Sequence, residues 1–238
     1  GVTTLNVTGT LTDGDGAYDL TKRGNGVLIL SGNNSFDGKF STGTNGYVVI
    51  AHGNALGSTN GATEIQAGSY IRIDGGSGIA VAEPLTMAGD AIINYAGTLR
   101  NNSGSNIWSG KITSNGARIR CEANTTLEVC GGVDGSGVTT GNAISGGTLR
   151  FSQKPITVAT LDCNCSAGNV ILSVGGNLFT TLFSGGGYFR VDVPNAWPAT
   201  VSFTVGTTYA SGSVNDLNGN DQTVGTLLTG ESSANKRI

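Results

Sequence analysis

The acidic side chains and the single histidine are the groups that could carry acid–base chemistry in this chain. Hydrolysis of a glycosidic bond usually needs two carboxylates that face one cleft. The glutamates nearest to such a role lie in different predicted strands: Glu64, Glu83, Glu122 and Glu128. The only histidine, His52, lies in a turn. The sequence therefore predicts no catalytic residue and no enzyme, and release of products from pectin or alginate would show the opposite.

Two glycine-rich stretches share features with ligand-binding loops. Residues 13–19, DGDGAYD, begin like a calcium loop, but a calcium loop also needs a distal bidentate glutamate. The GNG run at 24–26 is not followed by a helix, whose N-terminus a phosphate site would use. Both stretches are predicted to be turns, and we expect neither a metal nor a cofactor.

Four cysteines are the remaining candidates for metal ligands: Cys121, Cys130, Cys163 and Cys165. Their spacings do not match the paired C-x2-C pattern of zinc sites. We interpret them either as buried small apolar residues or as the source of one disulfide. Cys163 and Cys165 are expected on the same side of one strand, too far apart for a bond with each other.

A cluster of aromatic residues suggests a binding surface or a wide core. Seven lie between positions 178 and 209: Phe179, Phe183, Tyr188, Phe189, Trp197, Phe203 and Tyr209. They either fill wider coils or form an exposed surface for sugar or protein. In the second case Tyr188, Phe189 and Trp197 are the predicted contact residues. Pro194 and Pro198 indicate an excursion from regular strands here.

Composition and spacing predict the elements that hold these residues. Glycine contributes 40 of 238 residues and charged residues only 12%, while 37% are hydrophobic. Short apolar runs such as 27–30 and 47–50 are followed within four residues by Gly and Asn, which adopt turn conformations readily. Since no window keeps the period of an amphipathic helix, an all-β fold is predicted. The pattern of strand and turn repeats with a near-constant period, which is typical of stacked coils.

Net charge and hydropathy exclude two classes of partner. The net charge is −3 with scattered basic residues, so nucleic acid is not expected. No apolar run approaches the ~20 residues that cross a bilayer, so no membrane-spanning segment is expected. Because the first residue is Gly, we expect a processed chain or an excised fragment.

Alternation within the runs predicts which side chains face inward. Apolar residues recur at i and i+2, as strands with one buried face require. The predicted inward pairs are Ile71 with Ile73, Ile119 with Cys121, Leu127 with Val129, and Leu161 with Cys163.

Several phrases together resemble the autotransporter-associated β-strand repeat of secreted bacterial surface proteins. The chain carries LTKRGNG at 20–26, LILSG at 28–32, NSFDG at 34–38 and NALG at 54–57. Further phrases are TTLEV at 125–129, GSG at 135–137 and LNGNDQTVG at 217–225. The resemblance covers residues 19–137 and 214–230. It implies a right-handed parallel β-helix displayed outside the cell as the passenger of an exported protein.

These observations predict one parallel β-helix domain over residues 1–238, wound into about eleven coils. The predicted function is a structural module of a bacterial extracellular or cell-surface protein, forming a stiff rod. Its expected partners are other copies of itself or adjacent repeat modules, joined end to end into a filament. The alternative is an adhesin or carbohydrate-binding segment that contacts glycans or a host surface through residues 178–209.

Overall fold

The computed structural model describes residues 3–91, 97–142, 146–206, 213–230 and 236–237. In these residues all regular secondary structure is β-strand, and every strand pairing is parallel. The strands are β1 (Thr4–Val7), β2 (Leu20–Lys22), β3 (Val27–Leu30), β4 (Phe40–Thr42), β5 (Tyr47–Ile50), β6 (Thr63–Ile65), β7 (Tyr70–Ile73), β8 (Ala80–Val81), β9 (Leu85–Met87), β10 (Leu99–Asn101), β11 (Ser105–Trp108), β12 (Ile112–Cys121), β13 (Thr126–Val129), β14 (Val133–Asn142), β15 (Thr148–Phe151), β16 (Ile156–Leu172), β17 (Thr181–Val191), β18 (Ser202–Val205), β19 (Ser213–Asp216), β20 (Thr226–Thr229) and β21 (Lys236–Arg237).

The strands stack into three faces of a parallel β-solenoid with about nine turns. Face A contains β2, β4, β6, β9 and the first parts of β12, β14 and β16. Face B runs from β1 through β3, β5, β7 and β10 to later parts of β12 and β14, the middle of β16 and the first part of β17, and ends at β18 and β20. Face C contains β8, β11, β13, β15, the ends of β16 and β17, β19 and β21.

Register on face B places like side chains above one another. Leu28 pairs with Val48, Val48 with Ile71, Ile71 with Leu99, and Leu99 with Ile119. All five are buried. A chain this rich in glycine therefore builds its core from columns of aliphatic side chains, one from each turn.

The predicted inward pairs are confirmed. Each of the eight residues is buried, while the intervening Arg72, Glu128 and Asp162 are only partly buried; the fourth intervening residue, Arg120, is buried. The sequence also predicts a strand at residues 91–95, AIINY, and this stretch lies almost wholly outside the described residues.

The turns differ in length and in completeness. Ile71 is in register with Leu99, and Leu99 with Ile119, so the first of these two turns is clearly the longer. In the described residues, face C has no strand before β8, so the earlier turns close through loops. For these reasons the count of about eleven coils is not confirmed.

Corners between the faces need backbone conformations that few residues adopt readily. Asn45 and Asn124 have φ near +60°, a region in which asparagine is tolerated better than most residues. Gly38 has a different role, since a Cβ atom there would collide with the carbonyl oxygen of Tyr18 on the preceding turn. Glycine is required at this position because the turns approach each other backbone to backbone.

Candidate functional site

The two ends of the solenoid expose side chains that are buried elsewhere in the same columns. Leu5 stands above Leu28 in register, yet 61% of Leu5 is exposed. At the other end, Leu227 pairs with buried Phe203 and is 47% exposed. Both lie in inward-facing positions that no further turn covers within the described residues.

The N-terminal end forms an apolar hollow of about 480 Å³. Its walls include Leu5, Val7, Leu11 and Leu20 on the first turn and Leu28 beneath them. Strand β1 pairs with β3, and the described residues provide no strand on its other edge. An edge of this kind is a template for another parallel strand. The alternation of Leu5, Val7 and Leu11 in the sequence predicts a half-buried strand, and only the stack shows that the inner side of Leu5 is open.

Residues of the NSFDG motif at 34–38 form contacts between turns. The Asn34 side chain is buried, and its Oδ1 accepts from the Leu11 amide at 2.8 Å. Its Nδ2 donates to the Ala55 carbonyl at 2.6 Å. One side chain thus satisfies backbone groups on the turn before and the turn after. Phe36, two residues on, packs in the core.

A second asparagine forms the same bridge between turns in a part of the chain that the resemblance does not cover. Asn177 Oδ1 accepts from the Ile156 amide at 2.7 Å, and its Nδ2 donates to the Ala196 carbonyl at 2.6 Å. Phe179 follows two residues later and is also buried. Sequence reasoning missed this position, although the shared Asn-x-Phe spacing was a usable signal.

Replacing Asn34 by Ala is expected to lower the free energy of unfolding by about 2 to 4 kcal/mol, because a buried donor and a buried acceptor lose their partner. Urea unfolding monitored by circular dichroism measures this loss. Asn33→Ala is the matched control, since Asn33 is exposed and only its Oδ1 accepts from Asn54. A loss for Asn34→Ala no larger than that of the control would contradict a bridging role.

Two residues considered for acid–base or metal chemistry, His52 and Asp13, instead form hydrogen bonds that stabilise turns. The Nδ1 of His52 accepts from the Asn54 amide at 3.0 Å and so shapes a corner. The Asp13 carboxylate accepts from the amides of Asp37 at 2.8 Å and Tyr18 at 3.2 Å. The hydrogen bond from Asp37 is the main cause of a lowered pKa at Asp13. In the part of the chain that the structure describes, no cluster of His, Cys, Asp or Glu could hold a metal ion.

The four glutamates do not share a cleft. Glu64 on face A pairs with Lys39 at 3.1 Å. Glu128 on face C accepts from the Ser152 hydroxyl at 2.5 Å. Glu122, which follows the end of β12 on face B, forms ion pairs with Arg100 and Arg120, and Glu83 is buried. Each has a separate structural environment, so the described residues contain no pair of facing glutamates.

Arginines on face B form a ladder that carboxylates hold in place. Arg72, Arg100 and Arg120 occupy successive turns in register. Arg72 contacts Asp74 at 3.1 Å, while Glu122 contacts Arg100 at 2.8 Å and Arg120 at 2.7 Å. Burial lowers the pKa of Arg100. The ladder ties neighbouring turns together along the outer wall.

Glu83 is the buried carboxyl with the most perturbed environment. It is 3% exposed, and its Oε1 accepts a long bond of 3.3 Å from the Thr63 hydroxyl. Its Oε2 has no hydrogen-bond partner within the described residues. Burial raises the pKa of Glu83 to about 7. The sequence placed Glu83 in a predicted strand but contained no signal for its burial.

The aromatic segment does not form the surface considered in the sequence analysis. Phe189 and Trp197 are buried, with their ring centroids 6.0 Å apart, and Phe203 completes the cluster. Trp197 Nε1 donates to the Thr223 carbonyl at 2.9 Å. Only Tyr188 of the three predicted contact residues is part-exposed, and its hydroxyl bonds to Asp216. Phe189 and Trp197 thus fill a wide coil and are not available for contact.

The cysteines are described in part. Cys121, Cys130 and Cys163 are buried, and Cys130 has no disulfide. The side chain of Cys165 lies outside the described residues, as does Tyr209, so the prediction about a 163–165 bond stays a prediction. Among the described residues no helix is long and apolar enough to cross a membrane.

The fold defines the class of the protein as a parallel β-solenoid. Comparison with protein-family models, curated proteins and solved structures gives no significant match. Function is therefore inferred from the turns and their open ends.

Proposed function

We propose that this chain is a non-enzymatic structural module, a β-helical rod that joins further modules through its ends. The observation that carries the proposal is at the two ends of the described stack, where Leu5 and Leu227 lie in core columns that no further described turn covers. Burying such side chains contributes roughly 1.5 to 3 kcal/mol each. A further turn stacked on either end would recover this energy.

Continuous ladders make the rod stiff. Face B is unbroken from β1 to β20, and buried side chains such as Asn34 link the turns as well. With strands ~4.8 Å apart, about nine turns span roughly 43 Å. Right-handed winding is proposed for this stack, since connections between parallel strands of one sheet are right-handed in about 98% of cases.

The proposed setting is the outside of a bacterial cell, as part of an exported passenger-type protein. The support is the resemblance at 20–57, whose conspicuous residues serve the packing of turns. Leu30, Phe36, Ala55 and Leu56 are core residues, and Gly57 has φ of 96°. A motif used in this way favours a repeated structural unit.

The proposed partner at an open end is a second copy of this chain. Strand β20, the last strand of face B, and strand β1, the first, continue the same parallel ladder if one copy follows another. Such contacts are heterologous and do not close, so they extend into filaments.

Leu5→Glu and Leu227→Glu are each expected to abolish concentration-dependent association, because a charge in an inward-facing position resists burial between turns. Multi-angle light scattering across a concentration series measures the mass, and electron microscopy shows whether filaments form. Leu178→Glu is the matched control, since Leu178 is 59% exposed and pairs with outward-facing Thr157 on the side wall. Wild type that stays a sharp monomer at high concentration would contradict assembly between copies.

A further inference from the structure

A shallow hollow lies on the outer side of face B, away from both ends. Its volume is about 250 Å³. The residues that line it are Ser136, Thr139, Thr160, Asp162 and Phe183, together with Gly116, Gly137 and Val138. The volume lies below the usual range for drug-sized ligands and suits a single small ring.

Glycines and a register shift create the hollow. Strand β12 bends from face A to face B between Ser114 and Ala117, where its register with β14 shifts. Gly116 stands at this bend with φ of 74° and no atom within 4 Å of a Cβ position. Gly137, in register with Thr160 on the next turn, leaves a gap in the outer row. Since neither glycine projects a side chain, the wall is recessed here.

Adjacent turns place polar and aromatic side chains around the recess. Thr139, Asp162 and Phe183 stand side by side in register on three consecutive turns, and all three are part-exposed. Thr160 lies two residues before Asp162 on the same outward side. With Ser136, three hydroxyl residues, one carboxylate and one aromatic ring therefore border a space that opens to solvent.

The Asp162 carboxylate is available as an acceptor. Within the described residues no hydrogen bond or ion pair engages its oxygens, in contrast to Asp134 and Asp192, whose carboxylates bind neighbouring cations. Burial raises the pKa of Asp162, and the charge of Arg118 opposes that rise. The positive field of Arg118 also disfavours a cationic ligand at this carboxylate.

We propose that this hollow binds one neutral sugar ring. A carboxylate can accept hydrogen bonds from two neighbouring ring hydroxyls, and threonine hydroxyls both donate and accept. The Phe183 ring offers an apolar face to the C–H groups of the sugar. A calcium ion would need six to eight oxygen ligands, and the hollow contributes one carboxylate.

The site is independent of assembly through the ends, because Asp162 and Phe183 lie on the side wall. Sequence reasoning placed Phe183 in the aromatic segment but assigned contacts to other members. The usable signal was the spacing of Thr139, Asp162 and Phe183, which are separated by one turn each, so that outward residues of neighbouring turns lie side by side.

Saturation-transfer difference NMR on the full chain tests the proposal. The probes are the methyl glycosides of glucose, galactose, mannose and N-acetylglucosamine at about 5 mM, above the dissociation constant on the order of 1 mM expected for one sugar ring. We expect at least one to receive saturation from wild type. Asp162→Asn and Phe183→Ala should each weaken that binding about tenfold or more.

Two variants keep the result interpretable. Ser136→Trp fills the hollow from an exposed position and should abolish binding without disturbing the core, which circular dichroism verifies. Asp15→Asn removes an exposed carboxylate elsewhere and should leave binding unchanged. Absence of transfer to all four glycosides, or binding that survives Ser136→Trp, would overturn the sugar site. Neither result would bear on assembly through the ends.

Discussion

Replacing Ile71 by Asp is expected to destroy cooperative folding of the surrounding turns, with a loss above about 4 kcal/mol in the free energy of unfolding. Ile71 is fully buried, with Val48 above it and Leu99 below it in the same column. A carboxylate there has no partner and separates the turns on both sides. Because each turn of a solenoid depends on its neighbours, the defect spreads beyond one turn.

The adjacent residue is the control for this effect. Arg72 points outward and contacts Asp74 at 3.1 Å, with 31% of its side chain exposed. Exposed ion pairs are typically worth 0 to about 1 kcal/mol, so Arg72→Gln should cost little. Leu127→Asp against Glu128→Gln repeats the comparison on face C. Equal melting shifts within either pair would contradict the inward and outward register.

Glu83→Gln is expected to stabilise the protein at pH 8 by up to about 3 kcal/mol and to have little effect near pH 4. The pKa of Glu83 is raised to about 7 from an ordinary value of 4.5, and burial is the first cause. Below pH 4.5 the folded and unfolded states both hold the proton. As the pH rises from 4.5 to 7 the unfolded state releases it first, so the wild type loses stability. Above pH 7 the wild type has lost this stability in full, whereas the Gln variant keeps it because its amide does not titrate.

Thermal or urea unfolding of wild type and variant at both pH values measures the difference. Glu64→Gln is the control, because Glu64 is part-exposed and pairs with Lys39. A Glu83→Gln effect of equal size at pH 4 and pH 8 would show that Glu83 is not the group responsible. The comparison between variants cancels every other titrating group in the chain.

These two predictions test different features of one design. The inward columns hold the turns together, and a charge among them is expected to be destructive. Glu83 shows that the fold already contains one carboxyl in such surroundings. Its Oε2 lacks a partner in the described residues, and the Trp108 indole donates to its backbone carbonyl at 3.0 Å. The backbone carbonyl of Glu83 is therefore satisfied, while the buried carboxyl side chain destabilises the fold at high pH.

Local pattern was enough to predict the all-β fold, the stacking of coils and the inward residues, while the parallel direction of the strands was what the resemblance implied. Alternation at Ile71 and Ile73 predicts burial because a strand presents successive side chains to opposite faces. Gly and Asn predict corners because they accept positive φ, as Asn45 and Asn124 do. Both signals depend on neighbours within a few residues, so a single sequence contains them.

Contacts between turns are determined by the folded stack and cannot be inferred from the local sequence pattern. Whether Trp197, in the connection between β17 and β18, faces the core or the solvent depends on Phe189 and Phe203 from those strands, and these contacts bury it. The recess beside Asp162 exists because glycines on earlier turns come to lie next to it. Leu5 reads as an ordinary strand residue, and its exposure depends on what stacks above it. Local pattern thus specifies the repeating unit and the side that each residue faces. The stack decides which residues are buried in the core, which form ion pairs, and which lie at an open end or beside the hollow. These roles depend on contacts between side chains that are a full turn apart in the chain and that meet only when the turns stack in register.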